Sequence, residues 1–193
     1  RPSVNYSKLV LNYGSQTIIP KEFESLVKNR NAFSIKPFLR AYDSILKEDI
    51  FDSVNELPFV IVGSGLAAIE VSYALRKRWG DRPLKLLCDS RKINNTILKS
   101  LRNSNIDLVE KLNFDYGKIL LCTGNTSPLW AQKKLLDSDS YGRIITNQNL
   151  QIKSFSGIFA VGDCAVVGSA KRPASGVFAV KVVNTLVQNL KKD

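Results

Sequence analysis

The chain has 193 residues, of which 44% are hydrophobic, and 28 Lys and Arg against 17 Asp and Glu give it a net charge of +11. No apolar run approaches the ~20 residues of a membrane-spanning helix. Because the sequence contains no histidine, serine–histidine triads and histidine-ligated metal sites are excluded. The three cysteines lie far apart and outside any CxxC, which argues against a zinc site or a local dithiol and favours a reducing, cytoplasmic compartment.

The excess of positive charge is compatible with phosphate-bearing ligands, nucleic acid or an anionic membrane face. The cationic residues are scattered, however, and the densest runs, at 76–78, 133–134 and 191–192, are short. A solvated surface is the default interpretation of such runs. We therefore expect no nucleic-acid partner; the alternative hypothesis predicts a gel shift that depends strongly on salt.

Apolar runs and their periodicity predict the elements of the first two thirds of the chain. A short strand covers Leu9–Leu11, and the stretch 18–33 reads as irregular. A helix follows Pro37, because apolar residues recur from residue 35 to residue 50 at three- and four-residue steps. The elements expected after it are a strand at 59–62, a helix that ends at Trp79 before Gly80, a strand at 84–88, a short helix capped by Asn95, and strands at 106–109 and 119–122.

Unbroken apolar strands that alternate with helices indicate a parallel sheet covered by helices on both faces. The last third of the chain has a different pattern. Residues 142–154 read as paired short strands, and residues 157–165 read as a strand that runs into a turn. The segment from about residue 175 to residue 190 is amphipathic, and packing against a flavin or another domain is the favoured use of its apolar face.

The strongest chemical signal is FVIVGSGLAAIE, residues 59–70. Gly63 allows a tight turn directly after the strand, Gly65 allows a pyrophosphate to approach the backbone, and Ala68 allows close packing of helix and sheet. The N–H groups at the start of the helix then face the phosphates, aided by the helix dipole. The alternative is a glycine turn that serves packing alone. The residues predicted to bind a dinucleotide here are Gly63, Ser64, Gly65, Leu66, Ala67 and Ala68.

The acid that follows the next strand extends this candidate site. Asp89 lies 21 residues past Ala68, where a carboxylate can accept hydrogen bonds from both ribose hydroxyls of a dinucleotide. Asp89 would repel a 2′-phosphate and so favours NADH, whereas Arg91 and Lys92 would attract one and leave NADPH open. Glu70 has two interpretations: a contact near the nicotinamide, or a favourable charge near the helix N-terminus.

Residues 5–17, NYSKLVLNYGSQT, are repeated at 115–127 as DYGKILLCTGNTS. The last strand of a doubly wound nucleotide-binding domain ends in a turn beside the ligand crevice. We therefore interpret the repeat as the trace of two such domains, one inserted into the other, although only one GxGxxA turn occurs in the sequence. The glycines of the two turns, Gly14 and Gly124, are candidate cofactor-binding residues. The identical pairs are Tyr6 and Tyr116, Lys8 and Lys118, Leu11 and Leu121, and Gly14 and Gly124.

These two strand–glycine turns, the GxGxxA turn between them and the final GIFAVGDCA resemble the FAD-dependent pyridine nucleotide-disulfide oxidoreductase superfamily, over essentially the whole chain. By this resemblance, Asp163 hydrogen-bonds the ribityl chain of FAD and Gly162 lets the backbone approach the flavin. The helix after Ala174 would point its N-terminus at the flavin ring. The resemblance implies a Rossmann-like α/β NAD(H)-binding domain at 34–128, inserted into a partial FAD-binding domain made of residues 1–33 and 129–193.

The stretches FSIKPF and KRPASGVFAVKVV resemble NADH dehydrogenase-like flavoproteins, particularly those associated with selenide, water dikinase. The chain lacks the CxxC that the thioredoxin reductase branch carries before residue 122. The resemblance implies hydride transfer from NAD(P)H, with NADH favoured, to FAD and then to a small-molecule acceptor. In this branch the acceptor is commonly a quinone at a membrane surface, which implies a peripheral membrane contact of a cytoplasmic protein. The alternative is a non-catalytic nucleotide-binding or docking module linked to selenide, water dikinase.

Two departures from the superfamily pattern limit these expectations. Only five residues lie between Val109 and Asp115, where the superfamily usually has a long β-meander. The chain begins with Arg1, contains no methionine, and lacks the pyrophosphate turn of an FAD domain. We therefore expect a fragment that binds FAD weakly or not at all on its own and is inactive alone. No catalytic residue is assigned, because the cofactors carry the hydride chemistry.

Overall fold

The computed structural model describes residues 3–51, 57–128, 131, 136–168 and 176–191. The chain divides into two compact units. Unit 1 comprises residues 1–16 and 125–193, and unit 2 comprises residues 17–124. In sequence, unit 2 is therefore inserted between the two parts of unit 1.

The elements are numbered in chain order. The strands are β1 (Leu9–Leu11), β2 (Gln16–Thr17), β3 (Ala32–Ser34), β4 (Phe59–Val62), β5 (Leu84–Leu87), β6 (Ile106–Val109), β7 (Ile119–Leu121), β8 (Asn125–Thr126), β9 (Ile144–Thr146), β10 (Ile158–Ala160) and β11 (Ala165–Val167). The α-helices are α1 (Glu24–Lys28), α2 (Phe38–Phe51), α3 (Leu66–Trp79), α4 (Asn95–Asn103), α5 (Gly176–Lys181) and α6 (Val183–Leu190).

Unit 2 is built on a five-stranded sheet in the order β3-β7-β4-β5-β6. Every pairing in it is parallel. Its central strand β4 is buried along its whole length. A strand covered on both faces needs an unbroken apolar sequence, because each residue faces one covering layer or the other. The parallel α/β sheet predicted from the sequence is confirmed.

The two faces of this sheet are covered differently. Phe59 and Ile61 pack in a core with residues of α2, α3 and α4. Val60 and Val62 point to the opposite face and pack near Phe23 and the apolar residues of α1 and of segment 112–116. The expectation of helices on both faces is thus only partly correct: the three longer helices share one face, because β6 and β7 are joined by a short non-helical segment.

The sequence pattern predicted irregular structure for the stretch 18–33, but this stretch contains α1 and β3. In β3, Ala32 pairs with Ile119 and Ser34 with Leu121. This edge pairing ties β3 to the sheet of unit 2, which spans Thr17–Gly124.

Helix α2 buries a narrower stripe than its apolar pattern predicts. Ala41 and Ile45 are buried. Phe38, Leu39 and Tyr42 stay exposed, and the rings of Phe38 and Tyr42 stack with centroids 6.2 Å apart. The apolar periodicity therefore located the helix correctly but overstated its buried face.

The sequence prediction was correct for the end of helix α3 and wrong for the cap of helix α4. Helix α3 ends at Trp79, and Gly80 adopts a positive φ of 54°, as expected of a glycine stop signal. Helix α4 is capped by Asn94, whose Oδ1 accepts the Thr96 N–H at 2.8 Å. The prediction that Asn95 provides the cap was wrong; Asn95 is the first helical residue.

Among its described residues, unit 1 contains two parallel strand pairs, β1 with β10 and β9 with β11. Antiparallel bridges join Thr146 to Ile152 and Gln151 to Phe159, which agrees with the paired short strands expected there. Within the described ranges, no helix combines the length and apolar character needed to cross a membrane. Helices α5 and α6 carry four exposed valines: Val177, Val180, Val183 and Val187.

The two copies of the sequence repeat adopt the same local structure. Strands β1 and β7 each pair in parallel and are each followed by a glycine with positive φ, 74° at Gly14 and 96° at Gly124. Within unit 2, the Ile18 N–H donates to the Gly124 carbonyl at 3.1 Å. This bond brings together the residues at which the chain enters and leaves unit 2.

Candidate functional site

A cleft of about 590 Å³ lies in unit 2 at the carboxyl ends of its strands. Three strand ends line it, with residues 62–64 after β4, 87–89 after β5 and Thr123 after β7. The remaining lining comes from segment 20–26, residues 110–112 and Tyr116. In open parallel sheets this edge is where ligands bind.

Gly63 forms the turn between β4 and α3 with a φ of 145°. A Cβ at this position would lie 3.0 Å from the Cys122 carbonyl carbon and closer still to its oxygen, and 3.3 Å from the Ala68 Cβ. Ala68 is itself fully buried. The glycine and the small residue therefore allow β7 and α3 to pass close to the turn, which is a packing requirement of the fold.

Gly65 differs, because the fold itself places no demand on a glycine there. Its φ is −92°, and a Cβ would meet no heavy atom within 4 Å. Leu66 and Ala67 beside it are exposed, and α3 begins without a side-chain cap. The first turn of α3 therefore presents its N-terminal backbone to open space, where orphan N–H groups are available to a ligand.

Ser64 joins the glycine turn to the acid at the end of β5. The Asp89 backbone N–H donates to Ser64 Oγ at 2.9 Å. Both residues line the cleft. The structure thus brings Gly63, Ser64 and Asp89 into one cleft.

The Asp89 carboxylate is already engaged by a neighbour. Its Oδ1 accepts from Arg91 Nε at 2.9 Å and from the Arg91 backbone N–H at 3.2 Å, and its Oδ2 accepts from Arg91 Nη2 at 3.1 Å. Lys92 Nζ lies 3.7 Å from Oδ2. Hydrogen bonding from the Arg91 side chain holds the pKa of Asp89 below its ordinary value. Arg91, a predicted site residue, does not itself line the cleft; it is the ion-pair partner of Asp89, which does.

Seven predicted residues of unit 2 do not line the cleft: Gly65, Leu66, Ala67, Ala68, Glu70, Arg91 and Gly124. Glu70 is exposed on α3 and is absent from the lining, whereas Glu22 belongs to it. Gly124 is exposed, and the neighbouring Thr123 lines the cleft and donates its hydroxyl to the Ile18 carbonyl. Glu22 lies in the stretch that the pattern left irregular, so no sequence signal pointed to it.

In unit 1, the turns after β1 and β10 come together. Ser15 Oγ donates to Asp163 Oδ2 at 3.2 Å, which places the turn of Gly14 beside the turn of Gly162 and Asp163. Gly162 has a φ of 70°, and a Cβ there would lie 2.5 Å from the Asn12 Oδ1. Ala174, the other predicted flavin contact, lies outside the described residues.

The three cysteines, Cys88, Cys122 and Cys164, are buried and unpaired with one another. Burial raises the pKa of Cys122 to about 12, so its thiol is neutral at physiological pH. Across the described part of the chain, no group of three or more acidic, cysteine or histidine side chains is placed to hold a metal ion.

The fold and cleft define a Rossmann-like α/β protein with a ligand crevice at the carboxyl edge of a parallel sheet. Ferroptosis suppressor protein 1 of Homo sapiens is 25% identical to this chain over 97% of the chain and 57% of its own length. A probable NADH dehydrogenase of Dictyostelium discoideum is 25% identical over 95% of the chain and 52% of its own length. The chain therefore spans only a little over half the length of these curated relatives. No family model matches the chain.

Among solved structures, the water-forming NADH oxidase of Lactobacillus brevis bound to NADH superposes with a TM-score of 0.75 at 22% identity, over 98% of this chain and 47% of the oxidase. An engineered NADPH oxidase derived from it, bound to NADPH, gives a TM-score of 0.74 at 22% identity over the same shares of both chains. These similarities confirm the Rossmann-like fold. Together with the curated relatives they support a likeness to the FAD- and NAD-dependent pyridine nucleotide-disulfide oxidoreductases. None of these four names mentions selenide, water dikinase.

Proposed function

We propose that unit 2 binds a pyridine dinucleotide in its cleft, and that the whole protein is a flavin-dependent oxidoreductase that uses NAD(P)H. The observation that carries the proposal is the exposed, uncapped N-terminus of α3, which follows the Gly63 turn at the carboxyl edge of the sheet. The dipole and N–H groups of a helix start favour a pyrophosphate. The names of the relatives, which include an NADH dehydrogenase and an NADH oxidase, point to the same chemistry.

The residues of unit 2 fit such a ligand. The open space at Gly65 lets phosphates reach the backbone of the first helical turn, including Leu66 and Ala67. Asp89 offers carboxylate oxygens to a ribose, and Ser64 fixes the position of Asp89 through its backbone N–H. When bound, NAD(P)H would supply a hydride and FAD would accept it, while the protein orients the nucleotide and keeps water from it.

NADH is the favoured nucleotide under this proposal, because the charge of Asp89 repels a 2′-phosphate. In the engineered oxidase bound to NADPH, one substitution replaces an aspartate with alanine and two introduce arginine. That exchange follows the same charge logic. Arg91 complicates the assignment for this chain, since it pairs with Asp89.

The residues of unit 1 fit part of a flavin site. Asp163, positioned by Ser15, offers a carboxylate to ribityl hydroxyls, and the glycine turns at Gly14 and Gly162 bring backbone close to that carboxylate. We propose FAD as the second cofactor on this basis and on the resemblance. No second GxGxxA-type turn occurs in the sequence, so no pyrophosphate contact to FAD is assigned.

We propose that the electron acceptor is a small molecule, and more specifically that it is a quinone. The exposed valines of α5 and α6 supply an apolar stripe. We propose that this stripe packs against other parts of the whole protein. The alternative is that the protein is cytoplasmic and the stripe contacts a membrane surface. Liposome flotation of the whole protein, with and without anionic lipid, distinguishes the two.

The substitution Gly65→Ala tests the dinucleotide site. The methyl group meets no protein atom, so the fold should be unaffected, but it occupies the space through which phosphates approach. Losing a charge-assisted hydrogen bond weakens binding by about ten-fold or more. Calorimetric titration of the chain with NADH should show this loss at an unchanged melting temperature.

Gly176→Ala is the matched control, since Gly176 also begins a helix and has open space at its Cβ. Equal NADH affinity of the Gly65→Ala variant and the wild type would contradict the placement of the pyrophosphate. The alternative of a non-catalytic module linked to selenide, water dikinase is tested separately. NADH should bleach the flavin of the whole FAD-loaded protein if it is an oxidoreductase, and should bind without bleaching if it is a module.

A further inference from the structure

We propose that Lys8 clamps the C-terminal end of α6 and thereby keeps α5 packed on the turn of Asp163, which makes Lys8 a positioning residue for the proposed flavin site. The link to FAD rests on the proposed function, whereas the clamp itself is a property of unit 1. The inference is carried by the sequence repeat, by the hydrogen bonds at two helix ends and by the burial pattern of α6.

The two lysines of the sequence repeat, Lys8 and Lys118, make the same kind of contact. Each lies directly before a parallel strand, Lys8 before β1 and Lys118 before β7. Lys8 Nζ donates to the Leu190 carbonyl at 2.8 Å, where α6 ends. Lys118 Nζ donates to the Arg30 carbonyl at 2.9 Å, in the left-handed turn that follows α1. A cation at a helix C-terminus bonds its last carbonyls and is favoured by the helix dipole. The repeat therefore encodes one helix-end clamp in each unit.

Helix α6 depends on its clamp because it buries little apolar surface. Among its eight residues, the one that is buried is polar, namely Asn189. Val183 and Val187 are exposed. Asn189 Nδ2 donates to the Asn149 carbonyl at 3.0 Å, close to the bond from Lys8. Most helices in proteins are stabilised by packing of an apolar face. In α6, polar contacts at its C-terminal end therefore contribute an unusually large share of the stability.

Helix α5 connects this clamp to the turn of Asp163. One residue, Val182, separates α5 from α6, and the two helices contact each other. Helix α5 also contacts the turn Gly162–Cys164, which contains Asp163. A segment with few buried apolar contacts opens locally at a low free-energy cost. Loss of the clamp should therefore loosen α6 first, and then the packing of α5 on the turn of Asp163.

Hydrogen–deuterium exchange of the chain tests the clamp without any cofactor. Lys8→Met keeps an unbranched side chain but removes the charge and the donor. The amides of α6 should then exchange about ten-fold faster, because a charge-assisted hydrogen bond is lost. Lys118→Met is the matched control from the repeat; it should speed exchange in α1 and leave α6 unchanged. Lys8→Arg keeps a cation at the helix end and should restore most of the protection of α6.

Flavin binding by the whole protein tests the positioning role. Lys8→Met should weaken FAD binding by about three- to ten-fold, since the binding-competent arrangement of the turn is less populated. It should also shift the visible absorption of the bound flavin. Lys8→Arg should restore both properties, and Lys118→Met should change neither.

Three outcomes separate the possible failures. The clamp is overturned if the amides of α6 exchange at the same rate in Lys8→Met and in the wild type. The positioning role is overturned if α6 loosens in Lys8→Met while FAD affinity and the flavin spectrum stay unchanged. If the wild-type whole protein binds no FAD, the proposed flavin site fails and the positioning role fails with it, whatever the exchange rates of α6.

Discussion

Replacement of Gly63 by alanine should destabilise unit 2 more than any other single methyl group added at the glycine turn. The added Cβ would lie 3.0 Å from the Cys122 carbonyl carbon and 3.3 Å from the Ala68 Cβ, at a φ of 145°. Backbone strain in a glycine-only conformation costs of order 1–3 kcal/mol, and overpacking against a fixed neighbour costs a similar amount. The expected loss is therefore about 2–6 kcal/mol, a large share of the ~5–15 kcal/mol typical of a domain.

Urea unfolding followed by tryptophan fluorescence measures this loss. Trp79 is buried against Phe59, with ring centroids 4.9 Å apart, so its emission reports on unit 2. A Trp130→Phe background removes the other tryptophan. With a slope of about 2 kcal/mol per molar urea, the midpoint of Gly63→Ala should fall by about 1–3 M.

Gly65→Ala in the same background is the control, because its methyl group meets no heavy atom within 4 Å. Its midpoint should match or slightly exceed that of the parent, since alanine restricts the unfolded chain more than glycine does. If the Gly63 and Gly65 variants unfold at the same urea concentration, the close approach of β7 to the turn does not have the energetic role assigned to it.

Two further predictions concern the cap of α4 and the buried thiol. Asn94→Ala should cost about 1 kcal/mol in thermal unfolding, whereas Asn95→Ala should cost almost nothing; the reverse order would restore the sequence assignment of the cap. Burial raises the pKa of Cys122 from an ordinary 9.0 to about 12. The Cys122 thiol should therefore not react with iodoacetamide at pH 8 until urea unfolds the chain. Rapid labelling of Cys122 in the native chain, detected by mass spectrometry, would contradict its burial. Because the folded pKa of Cys122 is the higher one, its neutral thiol adds stability that is complete below pH 9 and is lost as the pH rises toward 12.

The central sheet could be predicted from the sequence because its strands are unbroken apolar runs followed by turn residues. Strand β4 is buried throughout, and a buried strand accounts for the four consecutive apolar residues FVIV before the glycine turn. Strand β3 was missed for the opposite reason. Ala32–Ser34 is short and contains a single large apolar residue, and it is a strand because Ile119–Leu121 offers it an edge, which is a tertiary effect that local propensity does not encode.

The candidate site was predictable to the level of backbone and residue type, but not to the level of side-chain pairing. Gly63, Ser64 and Asp89 were expected together and lie in one cleft. The ion pair between Arg91 and Asp89 depends on the rotamer of an exposed side chain in a turn. The sequence pattern does not predict that rotamer. Glu22 enters the cleft only because its segment packs against the sheet, so its place follows from contacts that are distant in sequence.

The bond between the Ile18 N–H and the Gly124 carbonyl has a consequence for the order of assembly. Strand β1 cannot pair until β10 exists, because Leu9 faces Ile158 across almost the whole polypeptide. Closing so long a loop is entropically unfavourable, and the penalty grows with its length. Once the inserted unit has folded, its two ends are a hydrogen bond apart, and the ~150-residue separation shrinks to the few dozen residues that remain outside it. Folding of the inserted unit thus lowers the entropic penalty of pairing β1 with β10, so that the discontinuous unit closes nearly as easily as a continuous one.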